Sequence, residues 1–261
     1  MKILAVLPFR LKSARVPEKI FHKINGTELC LRTLEQTLKT NANNLEVIAA
    51  VDDEKTAKVL SKLLPANNVI LTDPEIPSGT DRVYTAAKLY SAANNIPFQS
   101  LQGVVNVQGD MPFLSPSAFE LFLTHVITWN PNEDKILTPY ESWPSDMDEK
   151  DLGNVKIACD QNERALYFSR YPIPCSREHS KNALKLHVGI YAYTPTALEK
   201  FCKSPVSDLE KLEGLEQLRA LNHGIPIHCV KVECKPNESF RGIDTPGDLD
   251  WAEAFAKKDK A

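Results

Sequence analysis

The chain has 261 residues, 43% of them hydrophobic and 25% charged, a balance that supports a well-buried globular core and excludes a disordered chain. Its formal net charge of −3 leaves no global basic field to hold DNA or RNA. No apolar run is long enough to span a bilayer, and the first one meets Pro8 and Arg10 too early for a signal peptide; the expectation is a soluble, cytoplasmic protein with no nucleic-acid or membrane partner.

Ile3 to Leu7 reads as a buried first strand. The loop after it, Pro8 to Lys19, carries Arg10, Lys12, Arg15 and Lys19 and is stiffened by Pro8 and Pro17. A cationic loop at the carboxyl end of a first strand lies where open α/β sheets bind ligands, and its charge suits a polyphosphate. It contains neither GxxxxGK[ST] nor GxGxxG, so side chains must do the holding.

Helical spacing follows over Leu29 to Lys39, a strand over Leu45 to Val51, a helix over Glu54 to Leu64 and a strand over Asn68 to Leu71. This alternation predicts a mostly parallel sheet with helices on both faces. Ser78-Gly79-Thr80 leads into a helix over Val83 to Ala93 and offers hydroxyls and amide donors at the positive end of its dipole. The strand Gly103 to Val107 runs into Gln108-Gly109-Asp110, which places a carboxylate just past a central strand, followed by a covering helix over Ser115 to Trp129.

From about residue 135 the alternation weakens into strand-like runs at Lys135 to Thr138, Val155 to Cys159, Ala165 to Phe168 and Leu184 to Tyr193. These predict an antiparallel β elaboration around 135–193 within a single domain spanning 1–261. His187 and Tyr191 share a face if that last run is one strand. A helix over Asp208 to Asn222 puts Leu209, Leu212 and Ala220 inward, with Glu216 projecting between the two leucines as a carboxylate that must be paired or serve a ligand. A strand over Ile227 to Val232 and a helix starting at Thr245-Pro246 follow; there Thr245, Pro246 and Asp248 satisfy the helix start and leave Asp244 free. The six cysteines, at 30, 159, 175, 202, 229 and 234, have no metal-like spacing and read as reduced thiols.

Seven motifs occur in order: Arg10-x-x-Ser13-x-Arg15-x-Pro17-x-Lys19, Ser78-Gly79-Thr80-Asp81-Arg82, Asn106-Val107-Gln108-Gly109-Asp110, Ala165-Leu166-Tyr167-Phe168-Ser169-Arg170, His187-x-Gly189-Ile190-Tyr191-x-Tyr193, Leu215-Glu216-Gln217-Leu218-Arg219 and Gly242-Ile243-Asp244-Thr245-Pro246. Together they resemble the 3-deoxy-manno-octulosonate cytidylyltransferases, or CMP-KDO synthetases, over essentially the whole chain. The resemblance implies an α/β nucleotide-diphospho-sugar transferase fold, with a mostly parallel Rossmann-like sheet and an added β dimerisation region. It also implies a Mg2+-dependent homodimer that moves CMP from CTP to an acidic 3-deoxy-2-keto sugar for lipopolysaccharide biosynthesis.

Residue by residue, the resemblance assigns Pro8, Arg10, Arg15, Lys19, Ser78, Gly79 and Thr80 to the nucleotide and Asp110 and Asp244 to the metal. It makes Arg10, Lys19, Asp110 and Asp244 the catalytic set. Arg82, Gln108, Arg170, His187, Tyr191, Glu216 and Gln217 fall to the sugar, where cations suit a carboxylate and acceptors suit hydroxyls. Departures occur at Phe9 for a usual Ala, Glu18 for a small residue, Met111 for a Glu, Thr194 for an Arg, and along Tyr140 to Leu152. They leave open an 8-amino or sialic/pseudaminic-type sugar in place of KDO, and, as a different class, a catalytically silent nucleotide-binding protein.

Overall fold

The computed structural model describes residues 1–11, 16–145, 147–175 and 184–258. β1 (Ile3–Phe9) is followed by a small hairpin, β2 (Lys23–Ile24) and β3 (Thr27–Glu28), and by α1 (Leu29–Leu38). β4 (Leu45–Val51), α2 (Glu54–Leu60), β5 (Val69–Leu71), α3 (Gly79–Ala93), β6 (Gly103–Asn106) and α4 (Pro116–Ile127) continue the alternation. Then come β7 (Ile136–Ser142), β8 (Lys156–Cys159), β9 (Ala165–Ser169), β10 (Lys185–His187) and β11 (Tyr191–Tyr193). α5 (Pro195–Lys203), α6 (Asp208–Glu213), α7 (Gln217–Asn222), β12 (Ile227–Lys231) and α8 (Pro246–Lys258) complete the order.

The main sheet runs β5-β4-β1-β6-β11-β7-β10-β8-β9, with β12 beside β7. β5, β4, β1 and β6 pair in parallel, and this half carries the cationic first loop. β11 is inserted antiparallel between β6 and β7, and the ladder continues antiparallel through β10, β8 and β9, so the β elaboration extends the same sheet. β1 is buried on both faces. Ile3, Ala5 and Leu7 pack toward α1 and α4, whereas Leu4 and Val6 pack toward α3, the period-two alternation that explains its uninterrupted apolar run. A third cluster joins Ile24, Leu29 and Phe113 to Leu249, Ala252 and Ala256 of α8.

Local chemistry sets the helix starts. Asp53, Ser78, Ser115, Thr194 and Ser207 each accept a first-turn amide at the N-cap. The helix expected over Asp208 to Asn222 is two helices, because Gly214 adopts a left-handed conformation (φ 62°) and caps α6. The inward face expected from Leu209 and Leu212 is overturned with it, since Leu212 is 82% exposed and Leu209 lies at the surface too. The single strand expected from Leu184 to Tyr193 is likewise two. The Ile190 amide turns back to the Val188 carbonyl at 2.7 Å, and β10 and β11 then pair with different stretches of β7. The β2–β3 hairpin and α5 are additions that the periodicity did not announce.

Glycine matters most at 109, where the segment after β6 crosses the end of β1. A Cβ there would lie 2.7 Å from both the Pro8 carbonyl oxygen and the Phe9 ring. Phe9, a departure from the expected Ala, thus packs its ring against the bare backbone of Gly109. Gly109→Ala is expected to cost about 1–3 kcal/mol as an overpacking substitution, read as a lower urea midpoint with an unchanged m-value.

Candidate active site

Three segments distant in sequence meet at one ammonium group. Lys19 Nζ lies 2.6 Å from Asp110 Oδ2 and 3.2 Å from Asp244 Oδ1, and it donates to the Ile243 carbonyl at 2.5 Å. The backbone fixes each arm. Ile243 N donates to the Asp110 carbonyl at 3.1 Å, and a Cβ at Gly242 would stand 3.4 Å from Asp110 Oδ1, so glycine leaves the carboxylate room. Glu18, just before Lys19, is left-handed (φ 46°), a conformation that a small residue such as glycine takes more readily. Burial by itself would depress the Lys19 ammonium, but Asp110 and Asp244 override it and hold its pKa above the ordinary value. Burial pushes the Asp110 carboxyl up, and Asp244 adds to this against the pull of Lys19. Two carboxylates around one ammonium leave one negative charge uncompensated.

The turn before α8 behaves as its sequence predicts. Asp248 N donates to Thr245 Oγ1 at 3.3 Å while Thr245 N donates to Asp248 Oδ2 at 2.8 Å, a reciprocal capping box. Asp244 contributes only its amide to that box, at 3.1 Å, and its carboxylate is free to reach Lys19.

On the nucleotide side, Arg10 follows β1 and donates from Nη2 to the Ile76 carbonyl at 3.2 Å, tying the first loop to the Ser78 segment. Arg15 lies outside the described residues. Ser78 Oγ accepts from Asp81 N and donates to Asp81 Oδ2, so this hydroxyl caps α3. The Thr80 side chain is buried. What remains available is backbone: the Gly79 and Thr80 amides open α3, and a Cβ at Gly79 would meet nothing within 4 Å, so the first turn faces open space. An open cleft of about 730 Å³ separates Ile76, Pro77 and Ser78 from Gly214, Leu215 and Glu216. The Lys19 cluster is not part of that lining.

Toward the elaboration, the rings of His187 and Tyr191 lie 5.3 Å apart, with Phe168 edge-on to His187 at 5.3 Å. The two expected sugar contacts thus meet although they belong to different strands. Gln108 reaches the same bend, with its Cγ 3.7 Å from where a Gly189 Cβ would be. Glu216 lines the cleft. Beside it, Gln217 is 7% exposed with its Nε2 unpartnered among the described residues, a state that a buried amide leaves when a ligand supplies an acceptor.

Two assigned arginines lie elsewhere. Arg82 is fully buried, with Nη1 2.5 Å from Thr72 Oγ1 and Nη2 3.7 Å from Asp52 Oδ2; it joins the ends of β4 and β5 beneath the α3 terminus and does not line the cleft. Arg170 donates to the carbonyls of Glu213, Leu152 and Gly214 at 2.7, 2.8 and 3.2 Å, so its guanidinium positions the turn that carries Glu216. Pattern reading missed a buried bidentate pair, Arg219 to Glu210 at 2.8 and 2.6 Å, and Lys156, whose ammonium donates to three carbonyls including Arg170 O. Gly214 was the available signal for the first, because a glycine inside a helical pattern marks a break, and the break packs α7, which carries Arg219, against α6, which carries Glu210. The departure at Thr194 caps α5 and is fully buried, and Met111 packs into the core.

A profile described as cytidylyltransferase matches residues 4–230. A 3-deoxy-manno-octulosonate cytidylyltransferase of Nitratiruptor sp. is 36% identical over 94% of this chain and 95% of the relative. Its counterpart in Chlorobium limicola is 34% identical over 99% and 98%. The chain belongs to the 3-deoxy-manno-octulosonate cytidylyltransferase family. The solved structure of a CMP:2-keto-3-deoxy-manno-octonic acid synthetase complexed with CTP superposes with a TM-score of 0.83 at 28% identity, covering 99% of this chain and 100% of that one. A 4-diphosphocytidyl-2C-methyl-D-erythritol synthase from Anaerococcus prevotii shares the fold, with a TM-score of 0.60 at 14% identity over 98% of this chain and 96% of that one. A cytidylyltransferase is a nucleotidyltransferase.

The geometry separates two adjacent residues of this cytidylyltransferase. Asp244→Asn is expected to abolish metal-dependent turnover with little change in melting temperature, and Thr245→Ala to lose about 1 kcal/mol of stability through its cap; one turnover assay and one melting curve per variant check this. His187 supplies a second test. Burial holds its imidazole down to about 3 against an ordinary 6.5. Below pH 6.5 the unfolded chain therefore takes up a proton that the folded chain refuses. The contribution to stability is complete above pH 6.5 and is lost as the pH falls toward 3. His187→Gln should flatten the pH dependence of unfolding free energy in that window.

Proposed function

We propose that this chain transfers CMP from CTP to 3-deoxy-D-manno-octulosonate, releasing pyrophosphate and CMP-KDO for lipopolysaccharide biosynthesis. The observation that carries this reading is the Lys19 ammonium seated between Asp110 and Asp244 at the ends of the parallel strands. A cation already stands between two carboxylate oxygens and a carbonyl, and the residual negative charge calls for more positive charge than one lysine brings. Hard oxygen donors of this kind fit Mg2+, which Asp110 and Asp244 would hold. When bound, it would neutralise phosphate charge and acidify the sugar's anomeric hydroxyl.

The protein's own part is positioning. Lys19, Arg10 and Arg15 neutralise the triphosphate, and the open first turn of α3 receives the nucleoside side. His187, Tyr191, Gln108, Glu216 and Gln217 orient the sugar so that its anomeric oxygen bonds to the α-phosphorus as the bond to pyrophosphate breaks. Arg82 and Arg170 act beneath these groups as supports. No helix among the described residues is long and apolar enough to cross a membrane; the proposed place of the reaction is the cytoplasm. β9 ends the sheet ladder and Leu166 on it is 61% exposed, in keeping with a homodimer that pairs through the added β region.

The test is pyrophosphate release from CTP with a panel of acid sugars. KDO is expected to give the highest kcat/KM; preference for an 8-amino sugar or a nonulosonate reassigns the substrate, and no release with any sugar removes the enzymatic reading. Lys19→Ala should lower kcat by about 10²-fold or more, because lost charge stabilisation in the transition state appears in the rate. Near wild-type turnover in that variant would reduce the first loop to a solvated surface.

A further inference from the structure

One hydroxyl beneath the sugar-facing bend has three partners and a single proton. Thr138, fully buried in the middle of β7, places Oγ1 2.8 Å from the Ile190 carbonyl, 3.2 Å from the Val188 carbonyl and 3.1 Å from His187 Nε2. A carbonyl oxygen can only accept, and two oxygens 2.8 Å apart repel unless a proton lies between them. The Thr138 proton therefore goes to Ile190 O. The Val188 carbonyl already accepts from Ile190 N at 2.7 Å. The hydroxyl is left to accept from His187, so the imidazole proton must sit on Nε2. His187 Nδ1 has no partner among the described residues and is then a bare acceptor.

From this geometry we infer that Thr138 is a positioning residue for substrate selection, holding His187 as the neutral Nε2–H tautomer so that Nδ1 accepts from a donor group on the sugar. The inference rests on the proposed sugar-contact role of His187. It narrows what that contact can be. A neutral imidazole presenting a lone pair repels a carboxylate or a carbonyl oxygen and selects a hydroxyl or ammonium donor. The sugar's carboxylate must be met elsewhere. The rings of Phe168 and Tyr191, each 5.3 Å from the imidazole, take the place of part of the water that would stabilise an imidazolium, and burial lowers the His187 pKa in the same sense. The arrangement was not legible in advance, because Thr138 sits in an ordinary-looking strand and nothing in its neighbours marks it.

The experiment combines long-range 15N–1H spectra of the imidazoles, with His187→Gln identifying the resonance, and steady-state kinetics. Wild-type protein should show His187 protonated at Nε2 and bare at Nδ1. Thr138→Val removes the acceptor and should populate the Nδ1–H form, raising the KM for KDO about tenfold, of the order of one lost hydrogen bond to substrate, with the KM for CTP within about twofold. Thr138→Ser should restore both the spectrum and the KM. A wild-type spectrum with the proton on Nδ1 overturns the inference without any variant, as does a Thr138→Val spectrum that remains purely Nε2–H. A tautomer that shifts in Thr138→Val while the KM for KDO stays at the wild-type value leaves the Thr138–His187 bond in place but removes His187 from the sugar site. Equal losses for CTP and KDO together with early melting would make Thr138 a support of the bend alone, and that too overturns it.

Discussion

The ammonium of Lys19 is the point on which the rest of the site depends. It accounts for glycine at 109, which lets the segment carrying Asp110 cross the end of β1, and for glycine at 242, which leaves the Asp110 carboxylate its space. It also accounts for the main-chain bond from Ile243 to Asp110 that brings Asp244 alongside. A charge cluster assembled from residues so far apart is held by backbone more than by attraction between side chains. That is a sound arrangement, because partly buried charges return little net stability once their desolvation is subtracted.

The two halves of the sheet divide the chemistry. The parallel half ends in loops and a helix start, where backbone amides and flexible cations suit a phosphate chain of variable geometry. The antiparallel half presents rings on short strands. His187 and Tyr191 are brought together by the bend at 188–190, where one expected strand becomes two. Support for this half comes from Arg170 on three carbonyls, Lys156 on three more, and the pair Glu210–Arg219, which lines the cleft beside the 214–217 turn. Such groups are costly to bury singly but rigidify the segment when every donor is matched.

Much of the fold was legible because its signals are local. β4 begins and ends where the apolar run does, and the Thr245–Asp248 box follows from four consecutive side chains. The site was legible as motifs, but the direction of individual side chains was not. Arg82 and Arg170 carry the charge that a sugar carboxylate would need, and only the tertiary structure shows that carbonyls, a hydroxyl and Asp52 already engage them. Glu216 was placed at the cleft by a wrong argument: the helix used to point it inward is interrupted by Gly214, and the interruption itself turns the carboxylate to the open side. Thr138 could not be found by pattern, because its role depends on carbonyl groups of the 188–190 bend, about fifty residues away in sequence.

The packing of α8 bears on how the protein is made. Its ring-bearing face closes on Phe113 and on the small hairpin, with Phe255 4.7 Å and Trp251 5.6 Å from Phe113, and the turn that delivers Asp244 is capped by this helix. A ribosome releasing the chain from its amino end therefore lays down the parallel sheet, the bend of His187 and the Glu216 turn well before the second carboxylate has a place to sit. Until α8 docks, the cluster around Phe113 is open and Lys19 lacks its second acidic partner. A cut just ahead of residue 244 would remove that carboxylate and the helix that covers Phe113 together.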